Sequence, residues 1–285
     1  MCNHSREESD LPNERLRLDL GLLVGVAIAV SAVIAGVIST GVGLRYFLHP
    51  TGALIVLGGT LGVMLVTTPL HALANSLKRV STLLLSKPVD RERLIEEIVG
   101  YARISRREGT MALEAIAPKS SNAFLRNALL LVLDVKDRAE LQAALDLELR
   151  LRERQGEADA KVFEVAGGFA PTIGIIGTVV GLIEVMRQFS NVQAVGFGIG
   201  TAFVSTIYGL ALANLVLLPT AHRIRARVAE TFELQELMME GVLYLVDTVH
   251  PSLIRLKLSS FLREPPAARP QLQNGPIAVA TGAKG

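Results

Sequence analysis

Residues 166–182, AGGFAPTIGIIGTVVGL, and 198–219, GIGTAFVSTIYGLALANLVLLP, decide how this chain folds. The first lies in an uncharged run, Val165 to Ile183, bounded by Glu164 and Glu184. The second lies in a stretch without charge between Arg187 and His222. A helix rises about 1.5 Å per residue, so some twenty apolar residues cross a hydrocarbon core of roughly 30 Å. Both stretches read as membrane-spanning helices, and the short connection around Ser190 to Gly196 makes them a hairpin. Residues 20–40 (LGLLVGVAIAVSAVIAGVIST) and 51–70 (TGALIVLGGTLGVMLVTTPL) are likewise uncharged. They are joined by ten residues that include Gly41, Gly43 and Pro50, which predicts a second tight hairpin.

Composition agrees with a membrane class. Of 285 residues, 50% are hydrophobic and 20% charged, and the mean hydropathy is +0.41, too apolar for an ordinary soluble domain. Aromatics make up 5% with no Trp, and Gly, Ala, Leu and Val dominate the spans, a mixture that lets backbones pack closely. Gly58 and Gly62 are spaced to share one face of the second span, and Gly174, Gly177 and Gly181 predict helix contact in the third. Basic residues lie between the apolar segments rather than in an aromatic-studded patch, which argues against nucleic acid. The sole cysteine, Cys2, has no partner for a disulfide or a thiolate metal site. His4, His49, His71, His222 and His250 are scattered, no catalytic or metal-ligand constellation appears, and nothing supports an enzyme.

Residues 71–164 carry dense mixed charge with helical apolar spacing, as in Leu94, Ile95, Ile98 and Val99, then Leu125, Leu129, Val132 and Val135. Pro88, Asp90 and Glu92 mark a helix start, Gly109 and Pro118 interrupt the pattern, and a long amphipathic helix is expected from about Asn122 towards Gly156. Lys and Arg near the span ends set orientation: Arg45 and Arg187 stand in the two short connections, whereas Arg15, Arg17, Lys78, Arg79, Lys87, Arg223, Arg225 and Arg227 lie on the opposite side. The expected fold is thus an all-α membrane protein with four transmembrane helices in two hairpins and a cytoplasmic helical domain between spans two and three. Its segments are a polar cytoplasmic N-terminal extension (1–18), hairpin one (19–70), the cytoplasmic domain (71–164), hairpin two lining a path (165–221), cytoplasmic C-terminal helices (222–263) and a tail without a periodic face (264–285), read as disordered. Both termini are expected in the cytoplasm.

A proline inside a helix frees a backbone carbonyl, which at membrane depth must be re-satisfied by a neighbour or by water in a cavity. Pro171 therefore marks either a hydrated path or a simple kink. Thr172, Thr178, Thr201, Ser205 and Thr206 are candidate pore hydroxyls; singly, each is as well explained by bonding back to its own helix, and only their clustering argues for a path. Gly196, Gly198 and Gly200 lack the preceding strand that a phosphate loop needs. A proton or sodium relay calls for an intramembrane carboxylate, yet only Glu184 approaches one, near a span end beside Arg187. If this chain conducts ions, the titrating carboxylate must come from another chain.

From about Asp19 to Leu262 the sequence resembles the MotA/PomA stator A-subunits, relatives of TolQ and ExbB. The resemblance rests on LDLGLLVG (18–25), HPTGALIVLGGTLGVMLVTTP (49–69), REGTMALE (107–114), APTIGIIGTVVGLI (170–183), STIYGLALANLVLLPTA (205–221) and MMEGVLYLVDTVHPSLIRLKLSSFL (238–262). It implies a bacterial inner-membrane flagellar stator: a pentamer of this subunit around two copies of a MotB/PomB-like B-subunit, whose transmembrane Asp binds H+ or Na+. The cytoplasmic domain would push on the switch-ring protein of the rotor's C-ring. By position in the motifs, Pro171 and Pro219 resemble the family's two functional prolines, and Arg106 and Glu114 its rotor-facing charges, with Arg103 and Arg107 close by. Thr178 and Thr206 resemble the hydroxyl pair of sodium-type relatives. No cofactor or metal is implied beyond the transported ion. A TolQ/ExbB-like energiser of envelope processes is the alternative, disfavoured by the extra amino-terminal hairpin. Where many relatives have a Gly-containing turn before the last helix, this chain reads VDTVHP (246–251).

Overall fold

Spaced apolar residues, cap side chains and prolines locate the helices, and the structure follows them closely. The computed structural model describes residues 20–39, 41, 43–84, 90–120, 122–135 and 137–262. The expected N-terminal extension and C-terminal tail, with Pro88, lie outside the described residues. Every regular element among the described residues is helical. The chain divides into two compact units, Met1–Val89 with Leu147–Phe232, and Asp90–Asp146 with Glu233–Gly285.

In the first unit, α1 (Leu20–Ser39) leads through a 3₁₀ turn (Leu44–Phe47) to α2 (Pro50–Thr67). Pro50 occupies the first turn of α2, where its missing N–H leaves no bond unmade. Pro69 forces Thr68 into an extended conformation and ends the helix. Helix α3 (Leu70–Leu84) follows. The unit is completed by parts of two long helices numbered below, α6 and α7. Among the described residues, three helices are long and apolar enough to cross a membrane: α2, α6 and α7. The described part of α1 adds a shorter apolar stretch, Ala27–Ser39. The unit's core is built largely of small or slender side chains, among them Ala160, Ala166, Ala170, Ala213, Ala221 and Ile224, packed with Met64 and Phe163.

The second unit is water-facing in composition. Asp90 caps α4 (Arg91–Glu108), its carboxylate accepting from the N–H groups of Glu92 and Arg93 at 3.0 and 3.2 Å. Gly109, at φ 87°, ends α4. Three single turns (Thr110–Ala112, Leu113–Ile116, Ala117–Lys119) carry the chain past Pro118. Asn122 then caps α5 (Ala123–Asp134) through the N–H groups of Phe124 and Leu125.

The helix expected from about Asn122 to Gly156 is in fact two. Helix α5 stops at Asp134, and Asp137 accepts from the N–H of Ala139 (3.3 Å) to start α6 (Arg138–Arg187). Nor does Gly156 end the second piece. It is buried against Val228, where an added Cβ would sit 2.3 Å from a methyl carbon, so this glycine serves packing. Helix α7 (Val192–Val246) and α8 (Pro251–Leu258) complete the chain. Leu94, Ile95, Ile98, Leu125, Leu129, Leu141, Leu237, Leu243, Ile254 and Leu258 form the core of this unit. Arg91–Glu233 (2.8 Å) and Arg138–Asp247 (2.9 Å) ion pairs lie at its surface.

Candidate ion path and basic groove

Small residues recur on α6 at 170, 174, 177 and 181, and on α7 at 198, 202, 205 and 209, each series keeping one helical face. The structure joins these two faces into a seam. A Cβ on Gly174 would stand 3.0 Å from the Ser205 carbonyl oxygen, one on Gly181 2.6 Å from that of Gly198, and one on Gly209 2.6 Å from that of Ala170. At these three positions backbone meets backbone, and between them Gly177 makes room for the Ser205 side chain. Helix α2 closes on the same place through Gly52, whose Cα lies under the Ser205 hydroxyl, and through Gly59 against Ile173. The expected pair Gly58 and Gly62 meets nothing within 4 Å. The intrachain contact of α2 falls instead on Gly52 and Gly59, seven residues apart and hence on one helical face.

The seam brings Thr178 and Thr206 together. Their hydroxyl oxygens are 2.6 Å apart, and the Ala202 carbonyl lies 3.1 Å from Thr178 Oγ1 and 3.4 Å from Thr206 Oγ1. The Gly174 carbonyl is 3.3 Å from Thr178 Oγ1. Two protons cannot satisfy all these acceptors, so lone pairs remain at the pair. A separation of 2.6 Å is that of a hydrogen bond; a cation taking both oxygens as ligands must first break it. The other candidate hydroxyls bond to their own helices. Thr172 donates to the Phe169 carbonyl (2.7 Å), Thr201 to that of Phe197 (3.0 Å) and Ser205 to that of Thr201 (2.7 Å).

Pro171 stands inside α6, one turn from Gly174. It has no N–H for the Gly167 carbonyl. Pro219 stands two residues past the end of a π turn, Leu212–Leu217, closed by the Leu218 N–H on the Ala213 carbonyl. The wider turn shifts the ladder just where the proline ring would otherwise press on the preceding turn. Both prolines are half-buried, as are Thr178 and Thr206. At one end of the seam, the His49 ring lies over Gly200 and tilts against Phe197 (5.1 Å between centroids), with Nδ1 3.4 Å from Thr201 Oγ1. Tyr208 donates to the Phe47 carbonyl. At the other end, Arg79 pairs with the buried Asp159 (2.8 Å), and Arg225 bridges Glu157 (3.1 Å) and Glu164 (2.6 Å). Glu184 is paired with Arg187 at 3.5 Å, and no other carboxylate lies between Val165 and Ala221.

In the second unit, Arg103, Arg106 and Arg107 project from the C-terminal half of α4 and are exposed. They line one side of a groove of about 500 Å³, with Val99 at its floor and His250, Pro251, Ser252 and Arg255 of α8 on the other side. None of the three makes a hydrogen bond or ion pair among the described residues, whereas Arg255 pairs with Glu96. Glu114 is exposed on the single turn Leu113–Ile116 and does not line the groove. Sequence reasoning found the α4 arginines but not the α8 wall. Nearby, Tyr101 donates to Glu97 (2.7 Å), which also accepts from Ser120 (2.8 Å). Burial and the Glu97 carboxylate push the Tyr101 phenol up to about 12.

Known proteins share this architecture. Residues 116–236 match the MotA/TolQ/ExbB proton channel family, and residues 23–109 match the motility protein A N-terminal region. Motility protein A of Bacillus subtilis (strain 168) is 30% identical over 250 residues, covering 86% of this chain and 91% of that protein. Chemotaxis protein PomA of Vibrio alginolyticus is 30% identical over 245 residues, covering 86% and 94%. A chain of the C. jejuni MotAB structure superposes with a TM-score of 0.81 at 25% identity, covering 89% of this chain and 99% of that one. One from the flagellar MotAB stator complex of Bacillus subtilis gives 0.79 at 29%, covering 85% and 95%.

Proposed function

The chain belongs to the MotA/TolQ/ExbB proton channel family and, by its relatives along most of its length, to the motility protein A branch; from that premise we propose that it is the ring-forming subunit of a flagellar stator. It works with a B-subunit, as do the relatives in the MotAB structures. The pair spans the bacterial inner membrane, with four helices from this chain and both its termini in the cytoplasm. Five copies surround two B-subunits, and the ion gradient drives the ring around them. The α4 arginines with Glu114 meet the rotor's switch ring.

One observation carries the reading: a polar pair, Thr178 and Thr206, stands in a glycine seam whose spans hold no carboxylate of their own. Such a seam offers oxygen ligands but no titrating group, so the acid that binds and releases the ion must come from the B-subunit's Asp. The coupling ion follows from the same pair. A proton needs only a titratable acceptor, while sodium must exchange its hydration oxygens for fixed ones. Two hydroxyls with two nearby carbonyls supply them, and sodium is the ion proposed. The match of residues 23–109 to the motility protein A N-terminal region sets the envelope energisers aside.

Ion flux into vesicles carrying this chain alone, the B-subunit alone and both tests the division of labour. Flux is expected only with both; flux from this chain alone would refute it. For the ion, rotation of single motors is measured against external sodium at constant pH and ionic strength. The natural protein should depend on sodium and Thr206→Ala should need several-fold more, whereas rotation that ignores sodium and collapses with a protonophore assigns the path to protons.

A further inference from the structure

The groove between α4 and α8 has a charge balance unlike the rest of its unit. Its lining includes four guanidiniums and the His250 imidazole but no carboxylate. Elsewhere in this unit Arg91 pairs with Glu233 and Arg138 with Asp247. Within the groove, Arg103, Arg106 and Arg107 have no such partner among the described residues, and the one acid that reaches a lining cation there is Glu96, on Arg255. Helix α8 brings no free N–H to the groove. Pro251 has none, Ser252 N–H is taken by His250 Nδ1 (3.3 Å), and Leu253 and Ile254 both donate to the His250 carbonyl. An anion entering the groove must be held by guanidiniums, whose forked donors suit carboxylates.

We infer that Arg255 of α8 is a further docking residue, joining Arg103, Arg106 and Arg107 in holding an acidic rotor segment, and that Glu96 is an internal competitor that the incoming carboxylate displaces. The inference rests on the reading of this unit as rotor-facing. Charge complementarity commits it to an acidic protein segment: four like charges lining one groove repel one another until an acid fills it, and the floor, Val99 and Pro251, offers apolar area for the segment's stem carbons. The Arg255–Glu96 pair is half-exposed on both sides, with side chains 52% and 46% accessible. It is therefore easily exchanged rather than locked.

The sign of one substitution separates competitor from brace. Glu96→Gln keeps the shape and removes the charge. In motile cells carrying the full stator complex, the rate and lifetime of stator engagement are read from stepwise recovery of motor speed, with membrane level and ion flux as controls. Glu96→Gln should raise engagement about threefold and Arg255→Gln should lower it by about as much, both with unchanged flux, as expected for exposed docking charges. Reduced engagement in both variants would mean that the pair only braces α8 on α4, and the inference falls. If both are neutral while Arg106→Glu abolishes engagement, docking uses α4 alone: the inference falls and the rotor-facing reading stands. If Arg106→Glu is neutral as well, that reading itself fails. A rise on Glu7→Gln, Glu8→Gln, Asp10→Asn equal to that of Glu96→Gln would make the chain's own acidic N-terminal segment the occupant, and overturns the proposal.

Discussion

The seam of the first unit and the core of the second solve packing in opposite ways. Along α6 and α7 the contact is made by Gly174, Gly181, Gly198 and Gly209, whose backbones touch. Around α4, α5 and α8 it is made by fully buried Ile98, Leu125, Leu129 and Leu258. Apolar side chains gain little by leaving lipid for one another, so close approach and dispersion hold the seam. In water the transfer of large side chains dominates. The seam should then fail by addition and the core by subtraction.

The largest effect on motility tests addition. In Gly209→Val the new side chain meets the Ala170 carbonyl oxygen, which belongs to a helix backbone and cannot step aside. Overpacking of this kind costs about 1–3 kcal/mol or more, and here it parts the helices that align Thr178 with Thr206. The purified chain should lose resistance to heat and protease, and motility should vanish. Gly62→Val, at a position that meets nothing within 4 Å, should leave the chain's own melting temperature unchanged. Equal damage from both would break the comparison.

Subtraction comes next. Leu129 is completely buried, and Leu129→Ala should destabilise the second unit by about 2–5 kcal/mol, seen as a lower denaturant midpoint for that unit. No loss at all would mean that the core collapses to refill the space, and that subtraction does not damage it.

These regions also differ in how far the chain announces them. The apolar helices α2, α6 and α7 were legible because long uncharged runs mark them, and the caps Asp90 and Asn122 because their side chains act within three residues. Asp137 acts just as locally, but the apolar spacing continues through it and hides the break before α6. Glycine partners were legible on α6, where three fall on one face. On α2 the pair Gly58 and Gly62 shares a face but meets nothing within the chain, and Gly52 and Gly59 make the contact instead, since which glycines meet a neighbour depends on how α2 lies against α7, and no local pattern encodes that. The groove is the extreme case. Arg106 and Arg255 lie far apart in the chain, and only the packing of α8 on α4 brings them to one cleft.

A pH effect sharpens the contrast, because the second unit offers a titrating group held by partners within that unit. Tyr101 has its phenol pushed up from 10.0 to about 12 by burial and by Glu97. The sign follows from proton counts. Between those two values the unfolded chain loses the proton and the folded unit keeps it, so stability present below pH 10 drains away as pH rises towards 12. Tyr101→Phe should flatten that alkaline decline in the unfolding midpoint while losing, at neutral pH, the hydrogen bond to Glu97. An unchanged decline would place the responsible group elsewhere.

The smallest effect lies where α7 ends. Asp247 closes the helix, the Thr248 N–H donates to the Leu245 carbonyl (3.2 Å) and the Val249 N–H to that of Tyr244 (3.1 Å). That is the paired pattern of a Schellman cap, which places the residue after the cap in the left-handed region and is most often filled by glycine. Here the position holds Thr248, at φ 50°. A β-branched side chain is strained there by roughly 1–2 kcal/mol relative to its ordinary backbone. Glycine removes the strain but gives the unfolded chain more freedom, so Thr248→Gly should stabilise the second unit by only about 0.5–1 kcal/mol. The gain is read as a small rise in its unfolding midpoint, and a fall would show that the threonine side chain makes a contact worth more than the strain. Thr248 thus fills the left-handed position of this cap without glycine. The cap keeps its two bonds, and the turn still delivers His250 and Pro251 to the groove.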